Sequence, residues 1–289
     1  CDWSSDVCSS DLHILGIAAA EDAFHVAEVR RAGGKAVLVR TARFIPEGDG
    51  DQAEAFRRFL RRHKFASARC VVGLEAGWTI AREKVLPPGA SGSIAGALSI
   101  AAEREFAASE IGLAFDCTAP QESPDSTISM LVAAARPRLD AAVKLAREAG
   151  LKVIAATSSV LELALACGEA ANDRFVLWLG PNRGELAVQS GGCFRLLRRL
   201  TAPVDAKRLA SELCQAASAV PGSKEREMLV WDAAGMVDEQ TRDFLRKRLA
   251  MPVRICRFPE DLGLSAEGAL CDAGWAQAAV LAARGLAGR

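Results

Sequence analysis

Apolar residues are spaced along the first part of the chain in two ways that distinguish strands from helices. Short runs rich in β-branched and apolar residues occur at 13–18, 24–30 and 35–44, with turns at 19–23 and at Ala32-Gly33-Gly34. This pattern predicts an antiparallel three-stranded meander. Phe56, Phe59 and Leu60 then recur at helical spacing and predict a helix over 51–65, which the apolar segment 70–74 follows as a buried strand.

The same plan returns about 160 residues later. Strands are predicted at 175–179, 185–189 and 193–199, with turns at 181–184 and at Gly191-Gly192. The segment EVRRAGGKAVLVR of the first meander is echoed by AVQSGGCFRLLRR in the second. A helix (207–219), a strand (228–231), a second helix (239–250) and a last strand (253–258) follow. We therefore predict an α/β fold with two related halves, each a mixed sheet covered by helices.

An insertion with its own pattern separates the halves. A strand at 79–86, a helix capped by Ser93, and a strand pair at 111–117 and 127–134 around the polar loop 121–126 make a strand-helix-strand-strand module. Pro137 opens a further helix that ends at Gly150, before a strand (151–156) and a helix (160–167) return to the first half. The predicted boundaries are listed in chain order: first half 13–78, inserted module 79–150, return segment 151–171, second half 172–289.

Composition narrows the class of protein without identifying a chemistry. Half of the residues are hydrophobic, a quarter are charged, and the formal net charge is zero, so no whole-molecule charge favours nucleic acid binding. No uninterrupted apolar stretch approaches about 18 residues, so no membrane span is predicted. The nine cysteines show neither Cys-x-x-Cys nor histidines at metal-ligand spacing. We therefore expect free thiols, no bound metal and a reducing, cytoplasmic location.

Residues 1–12, CDWSSDVCSSDL, have neither the apolar run of a signal peptide nor the composition of a transit peptide. With ordinary codons the segment back-translates to a string that resembles a DNA-sequencing adapter. We interpret it as an assembly artefact, with the natural sequence beginning near His13. Without Asp2, Asp6 and Asp11 the count is 36 basic against 33 acidic residues, a formal charge of +3.

From residue 13 to 289 the order of elements resembles the actin-like ATPase superfamily, whose halves are duplicated ribonuclease H-like sheets. Within it, the chain is similar to the type IV pilus assembly protein PilM family, which is related to FtsA and to the cytoplasmic domain of GspL. Local resemblance is carried by VVGLEAGWTIAREKVLPPG, by the helix ending AAEREF, by the segment from SMLVAAARPRLD to LELALACG, and by GWAQAAVLAARGLAG. The inserted module corresponds to the SHS2-like module of that family.

The resemblance implies a cytoplasmic adaptor of the inner-membrane platform that assembles a pilus or a related secretion machine. Such a protein is peripheral to the membrane and binds the N-terminal tail of a PilN-type membrane protein; self-association is a further expectation. The alternatives are an ATP-binding switch or ATPase of the same fold and, with less support, a small-molecule kinase. The residues in the nucleotide-binding turns distinguish between these functions.

Three turns that hold nucleotide and Mg²⁺ in the superfamily are degenerate here. The first, expected as Gly-Ile-Asp-x-Gly, is Gly16-Ile17-Ala18-Ala19-Ala20, and the second keeps only Gly180. The adenosine-side glycine run is reduced to Asp232-Ala233-Ala234-Gly235, and only residues 200–206 stand where a lid subdomain is expected. Without the carboxylates that hold a hydrated divalent ion, we expect no catalytic residues, no cofactor and a non-hydrolysing protein. Gly16, Gly180 and Gly235 remain as vestigial nucleotide-binding positions.

Other candidate residues have simpler interpretations. Glu21 and Asp22 could replace the lost acid, but the sequence favours an exposed hairpin turn. The first of two basic groups could be a patch for phosphate or anionic lipid, but the sequence favours a solvated face for both groups. The three histidines have no nucleophile or paired carboxylate at motif spacing. Trp275 with 276–283 is expected to pack against the second sheet rather than on a membrane. The basic groups are Arg57, Arg58, Arg61, Arg62 and Lys64 in one and Arg195, Arg198 and Arg199 in the other; the histidines are His13, His25 and His63.

Overall fold

The computed structural model describes most of the chain as helices and strands. The described residues are 12–46, 50–86, 94–106, 112–118, 121–122, 126–168, 173–201, 205–220, 225–268 and 272–288. Residues 1–11 of the segment interpreted as an artefact, and Ser93, the predicted helix cap, lie outside them.

The strands are β1 His13–Ala19, β2 Phe24–Ala32, β3 Lys35–Phe44, β4 Arg69–Leu74, β5 Thr79–Leu86, β6 Leu113–Cys117, β7 Gln121–Glu122, β8 Thr127–Ala135, β9 Lys152–Ser158, β10 Asp173–Leu179, β11 Gly184–Ser190, β12 Cys193–Leu200, β13 Arg226–Asp232, β14 Val253–Ile255 and β15 Ser265–Ala266. The helices are α1 Gln52–Arg62, α2 Ile94–Phe106, α3 Arg136–Glu148, α4 Ser159–Ala166, α5 Ala206–Ala219, α6 Glu239–Leu249 and α7 Ala276–Ala287. Short 3-10 turns occur at Ala76–Trp78, Glu260–Leu262 and Ala273–Trp275.

The predicted duplication is present in the order of the strands. One sheet runs β15-β3-β2-β1-β4-β9 and the other β12-β11-β10-β13-β14, so each contains a meander followed by two more strands in the same order. The glycine pairs that join the second and third strands have φ of +56° and +80° at Gly33-Gly34 and +57° and +75° at Gly191-Gly192. These values lie in the left-handed region that glycine adopts without strain, which explains why both hairpins use Gly-Gly.

The two meanders also share an irregularity. The antiparallel pairing of β2 with β3 shifts register between Glu28 and Val29, and that of β11 with β12 shifts between Val188 and Gln189. In both cases the shift follows the fifth residue of the second strand. A shift of this kind bends the strand and increases its twist. The duplication therefore extends to the local geometry of the sheets.

The inserted module has the predicted strand-helix-strand-strand order, with one addition. Its sheet runs β5-β8-β6, and β8 pairs antiparallel with both neighbours. Helix α2 packs on this sheet through Leu98 and Ala102 against Leu131. The segment predicted as a polar loop at 121–126 contains β7, which pairs with β8. Two residues are too few to show an alternating pattern, so this strand was not visible in the sequence.

The described residues form two compact units. The first comprises Cys1–Gly73, Val143–Thr157 and Phe258–Arg289, and the second Leu74–Ala142 and Ser158–Arg257. This grouping differs from the predicted boundaries because residues 79–142 of the module and α4 belong with the second unit, whereas residues 143–150 and the C-terminal segment belong with the first. No helix of the described part of the chain is long and apolar enough to cross a membrane.

Each unit has its own core. In the first, Phe24, Phe44, Phe56 and Phe59 form a cluster of rings with centroids 4.9–6.3 Å apart. In the second, α5 and α6 cover the five-stranded sheet through buried aliphatic residues, among them Leu209, Leu213 and Leu245. The predicted amphipathic helices are thus confirmed as the layers that cover the sheets.

Candidate functional site

Gly16, the first vestigial position, lies within β1 directly under α7. A Cβ atom on Gly16 would lie 1.8 Å from the backbone oxygen of Ala278 and 2.6 Å from the backbone nitrogen of Ala282. Gly285 faces the sheet in the same way, because a Cβ there would lie 2.6 Å from Cγ2 of Ile14. These two glycines allow the helix to approach the sheet at short distance. The packing of α7 therefore accounts for Gly16.

The turn that follows β1 is closed by its own backbone and by an ion pair. The N–H of Ala20 donates to the backbone oxygen of Ala23 at 3.2 Å. Asp22 pairs with Arg43, whose Nη2 lies 3.0 Å from Oδ2. Glu21, the other candidate replacement acid, is exposed at the tip of the turn. The two acids that could take over from the lost aspartate thus lie in a short hairpin turn, as expected, and one is bound to an arginine.

An indole ring fills the second turn. Gly180 follows β10, and a Cβ on it would lie 2.4 Å from the ring of Trp178, which is fully buried. The N–H of Gly180 donates to the backbone oxygen of Arg183 at 2.8 Å, which closes the turn. The Arg183 guanidinium lies 4.8 Å from the centroid of the Trp178 ring, in cation-π geometry. Because Gly180 has no side chain, it leaves room for the indole ring of Trp178 on the preceding strand.

Arg183 is also the centre of a buried charged cluster, which comprises Glu75, Arg183 and Glu185, with the exposed Arg199 at its margin. Nε of Arg183 lies 3.3 Å from Oε2 of Glu75 and 3.2 Å from Oε1 of Glu185. The second oxygen of Glu185 accepts the N–H of Ala76 at 3.0 Å, and Nη1 of Arg199 lies 3.6 Å from Glu75. Two glutamates and two arginines balance in charge. Glu75 precedes the module, Glu185 lies on β11 and Arg199 lies on β12. The ion pairs therefore link the start of the module to these two strands within the second unit.

In the third turn, after β13, the backbone N–H groups donate to acceptors within the protein. The N–H groups of Ala233 and Ala234 donate to the backbone oxygen of Leu179 at 2.8 and 3.1 Å. The Asp232 carboxylate accepts the N–H of Val237 at 2.7 Å and that of Ala234 at 3.2 Å. Gly235 has φ +66°, and a Cβ there would meet nothing within 4 Å. Gly235 is therefore required by the turn itself rather than by a close neighbour.

Comparison with solved structures covers nearly the whole chain. The structure of PilM from the PilM-PilN type IV pilus biogenesis complex superimposes with a TM-score of 0.73 at 17% identity, over 96% of this chain and 99% of that one. The cytoplasmic domain of EpsL, an inner-membrane component of the type II secretion system of Vibrio cholerae, gives 0.58 at 12%, over 96% of each chain. A Bacteroides thetaiotaomicron protein with an actin-like ATPase fold gives 0.53 at 9%, over 87% and 93%. The chain has a PilM-like, actin-like fold.

The sequence comparisons add nothing to this result, because no protein-family model and no curated protein matches the chain. At such low identity the likeness shows the fold alone. The actin-like fold confirms the architecture that the order of predicted elements implied, including two halves of one plan.

In the second and third turns, the groups that would hold a Mg²⁺-nucleotide in the actin-like manner are already used within the fold. A triphosphate needs backbone N–H groups that are free to point at it and a carboxylate for the hydrated ion. In the second and third turns the N–H groups of Gly180, Ala233 and Ala234 already donate to backbone oxygens. The carboxylate of Asp232 holds its own turn. We therefore derive no hydrolytic step from these turns.

The tertiary structure gives one histidine a carboxylate partner that lies at no motif spacing. His13 does have a paired carboxylate, since its Nδ1 lies 3.1 Å from Oε1 of Glu28. Glu28 is fully buried, also pairs with Arg40 at 2.9 Å, and accepts the N–H groups of Ala66 and Ser67. The carboxylate thus fastens the loop before β4 to β2, so the pair has a structural role. The fifteen residues between His13 and Glu28 match no motif, which is why the sequence did not reveal the pair.

The other two histidines pack against aromatic rings of their own unit. The His25 ring lies 5.3 Å from Trp275, centroid to centroid, in an edge-to-face arrangement. His63 caps the C-terminus of α1 and lies 4.6 Å from Phe59.

Two further expectations were wrong. Helix α7, expected on the second sheet, packs on β1 and β2 of the first, and Arg31 of β2 donates to the backbone oxygen of Leu286 at its C-terminus. Arg195, expected on a solvated face, is half-buried and forms an ion pair with Glu83 at 2.8 Å, whereas Arg199 is exposed as expected and lies 3.6 Å from Glu75. Spacing along one element cannot reveal partners that come from distant segments.

The cysteines in the described part of the chain lie in mixed environments. Cys70, Cys193 and Cys256 are buried and Cys117 is exposed. Burial raises the pKa of Cys70 to about 12, so its thiol remains protonated and unreactive at neutral pH. Among the described residues no three or more histidine, cysteine or acidic side chains are grouped so as to hold a metal ion.

Proposed function

We propose that the chain is a non-hydrolysing adaptor of the inner-membrane platform that assembles a type IV pilus or a related secretion machine. In this role it is cytoplasmic, peripheral to the inner membrane, and binds the N-terminal tail of a PilN-type membrane protein. The observation that carries the proposal is the full-length likeness to PilM, a structure solved as a complex with PilN. The likeness to the cytoplasmic domain of EpsL supports a place beside an inner membrane.

The absence of hydrolysis is the second part of the proposal. Its support is local, because the backbone donors of two turns are used within the fold and Trp178 fills the space beside Gly180. The competing function is a nucleotide switch of the same fold, with Glu21 or Asp22 as the ion-binding acid.

The first experiment tests the partner. A synthetic peptide of the segment that precedes the membrane span of a PilN-type protein is titrated into the purified chain by isothermal titration calorimetry. We expect saturable one-to-one binding, and a peptide of the same composition in scrambled order serves as the control. Absence of heat with both peptides would contradict the adaptor function.

The second experiment tests the nucleotide. A fluorescent ATP analogue is titrated into the protein with and without magnesium. We expect no saturable, magnesium-dependent binding. Tight binding that Glu21→Ala or Asp22→Ala abolishes would support the nucleotide switch in place of the non-hydrolysing adaptor. Tight binding that neither variant affects would show that these acids do not hold the ion, and it would contradict the proposal that the nucleotide site is degenerate.

A further inference from the structure

A group of uncompensated cations lies at one edge of the first unit. We call this surface the basic edge and define it by seven exposed side chains: Arg58, Arg61, Arg62, Lys64, Arg69, Arg147 and Lys152. Within the described residues, none of the seven has a carboxylate at ion-pair distance. The whole chain has zero formal charge, so this edge is a local excess rather than a consequence of a basic protein.

The fold brings these residues together from four segments. Arg58, Arg61 and Arg62 lie at i, i+3 and i+4 positions and therefore share one face of α1. The end of α1 is fixed by Arg40, whose guanidinium donates to the backbone oxygens of His63 and Lys64. Lys64 itself has φ +56°, a left-handed conformation that ends the helix.

The neighbouring segments contribute the remaining charges. β4 and β9 are adjacent strands that begin at Arg69 and Lys152, and the N–H of Lys152 donates to the backbone oxygen of Ala68 at 2.7 Å. The end of α3, next to Arg147, is joined to α1 because Arg57 donates to the backbone oxygen of Glu148. The helix ends and strand starts thus lie at the same edge.

The acidic residues of the edge already have their own partners. Glu54 pairs with Arg57 at 2.7 Å, and Glu148 lies 3.8 Å from Lys144. Neither acid therefore offsets the seven cations. Helix α6 provides a contrast, since it also ends in three basic residues but carries Asp243 beside Arg242 and Arg246, at 3.4 and 4.0 Å.

The shape and chemistry of the basic edge favour a flat, anionic surface as partner. Its cations stand on one helix face and at strand starts. The aromatic residues nearby, Phe59 and Phe65, are half-buried in the ring cluster, so they offer no platform on which bases of a nucleic acid would stack. Each cation held near an anionic membrane contributes about 1 kcal/mol, without needing a shaped pocket.

We propose that the basic edge binds the anionic lipid headgroups of a membrane surface. The proposal rests on the proposed function in one respect, namely that the protein works beside a membrane, and it identifies the face that contacts the bilayer. It does not depend on a partner protein, because the attraction comes from the chain's own side chains.

Vesicle co-sedimentation tests the proposal on the full chain without any partner. One set of vesicles contains phosphatidylglycerol in phosphatidylcholine and the other phosphatidylcholine alone. We expect binding to the first set only, and weaker binding as salt is added, since ions screen charges at distances of about 8 Å in physiological salt. Equal binding to both sets, or none to the anionic set, would overturn the proposal.

The variant R58Q/R61Q/R62Q locates the surface. Losing three cations at about 1 kcal/mol each predicts roughly 100-fold weaker binding to the anionic vesicles. The matched control R246Q/K247Q/R248Q removes three basic residues from the last turn of α6, a helix of the same eleven-residue length, and should bind like the wild type. Equal loss in both variants, or no loss in the first, would refute the assignment to the basic edge.

The outcome is separable from that of the proposed function. The tail peptide is titrated into R58Q/R61Q/R62Q as well, with circular dichroism to verify that the variant is folded. Retained peptide binding with lost vesicle binding supports both proposals. For the wild-type chain, in contrast, failure of the peptide with retained vesicle binding contradicts only the adaptor, and failure of the vesicles with retained peptide binding contradicts only the basic edge.

Discussion

The two hairpins that open the two sheets share one plan, but their glycines are covered by different parts of the protein. In the first, Gly16 is covered by the backbone of α7, a helix that comes from the other end of the chain. In the second, Gly180 is covered by Trp178, two residues away on the same strand, and Arg183 lies over that indole. Long-range packing covers Gly16, whereas a side chain of the same strand covers Gly180.

This difference shows that a glycine kept in a degenerate motif need not be a remnant of ligand binding. Glycine is required wherever another atom approaches the backbone closely, and in this protein those atoms belong to the protein itself. Four variants test how much residues in or next to these turns contribute to folding stability.

The largest effect is expected from Arg183→Met in the second turn. Removal of the guanidinium leaves Glu75 and Glu185 buried without their shared cation, which typically costs about 4 kcal/mol of folding free energy. Urea denaturation measures this loss. Arg208→Met is the control, because that side chain is half exposed and its ion pair with Glu212, at 3.8 Å, should contribute less than about 1 kcal/mol. Similar losses in the two variants would contradict a structural role for the cluster.

Gly16→Ala should have the next largest effect. The added methyl group would overlap the backbone of α7, and a backbone cannot move aside as a side chain can, so we expect about 3 kcal/mol of destabilisation. Gly50→Ala is the matched control, since no atom lies within 4 Å of its Cβ position and its φ is not positive. If both variants unfold at the same urea concentration as the wild type, α7 does not pack on β1 as described.

Asp232→Ala tests the third turn. The change removes the acceptor of two backbone N–H groups, those of Ala234 and Val237, and should cost about 2 kcal/mol. Asp205→Ala removes an N-cap with one such bond, to the N–H of Arg208 at 2.8 Å, and should cost about 1 kcal/mol. Thermal unfolding compares the two. A smaller loss in Asp232→Ala than in Asp205→Ala would show that the turn is not held by this carboxylate.

The smallest effect concerns the helix that follows this turn. Asp238 caps α6 and accepts the N–H of Thr241, and this hydrogen bond lowers the pKa of the carboxyl. Because the pKa is lower in the folded state, the stabilisation is present above the unfolded-state pKa and is lost as the pH falls through the folded-state value. Asp238→Asn keeps an acceptor but does not titrate. Its melting temperature should fall less steeply at acidic pH than that of the wild type, and equal slopes would contradict the prediction.

Much of the fold could be predicted because the information is local. The strand boundaries of β5 match the sequence prediction, and Asp51, where the first helix was predicted to begin, caps α1 through the N–H groups of Ala53 and Glu54. The duplicated order of strands followed from two similar meanders. The short strands β7 and β15 were missed, since two residues carry no periodic signal.

The candidate site was predictable only in part. That the first two turns lack the expected aspartates, and that each of the three turns keeps only one glycine, was visible in the sequence. That the N–H groups of Gly180 and Ala233 are satisfied within the fold was not, because their partners are backbone oxygens whose positions depend on the neighbouring strands.

The sequence by itself determined the type and order of the elements, the duplication, and the loss of the nucleotide motifs, because periodicity and turn residues act over a few positions along the chain. Only the tertiary structure decided that α7 covers the first sheet, that Glu75, Arg183 and Glu185 share a buried cluster, and that seven cations meet at one edge. Each of these depends on contacts between segments far apart in sequence. Which side chains are buried and which charges lie together depends on how the elements pack, so neither can be deduced from a single helix or strand.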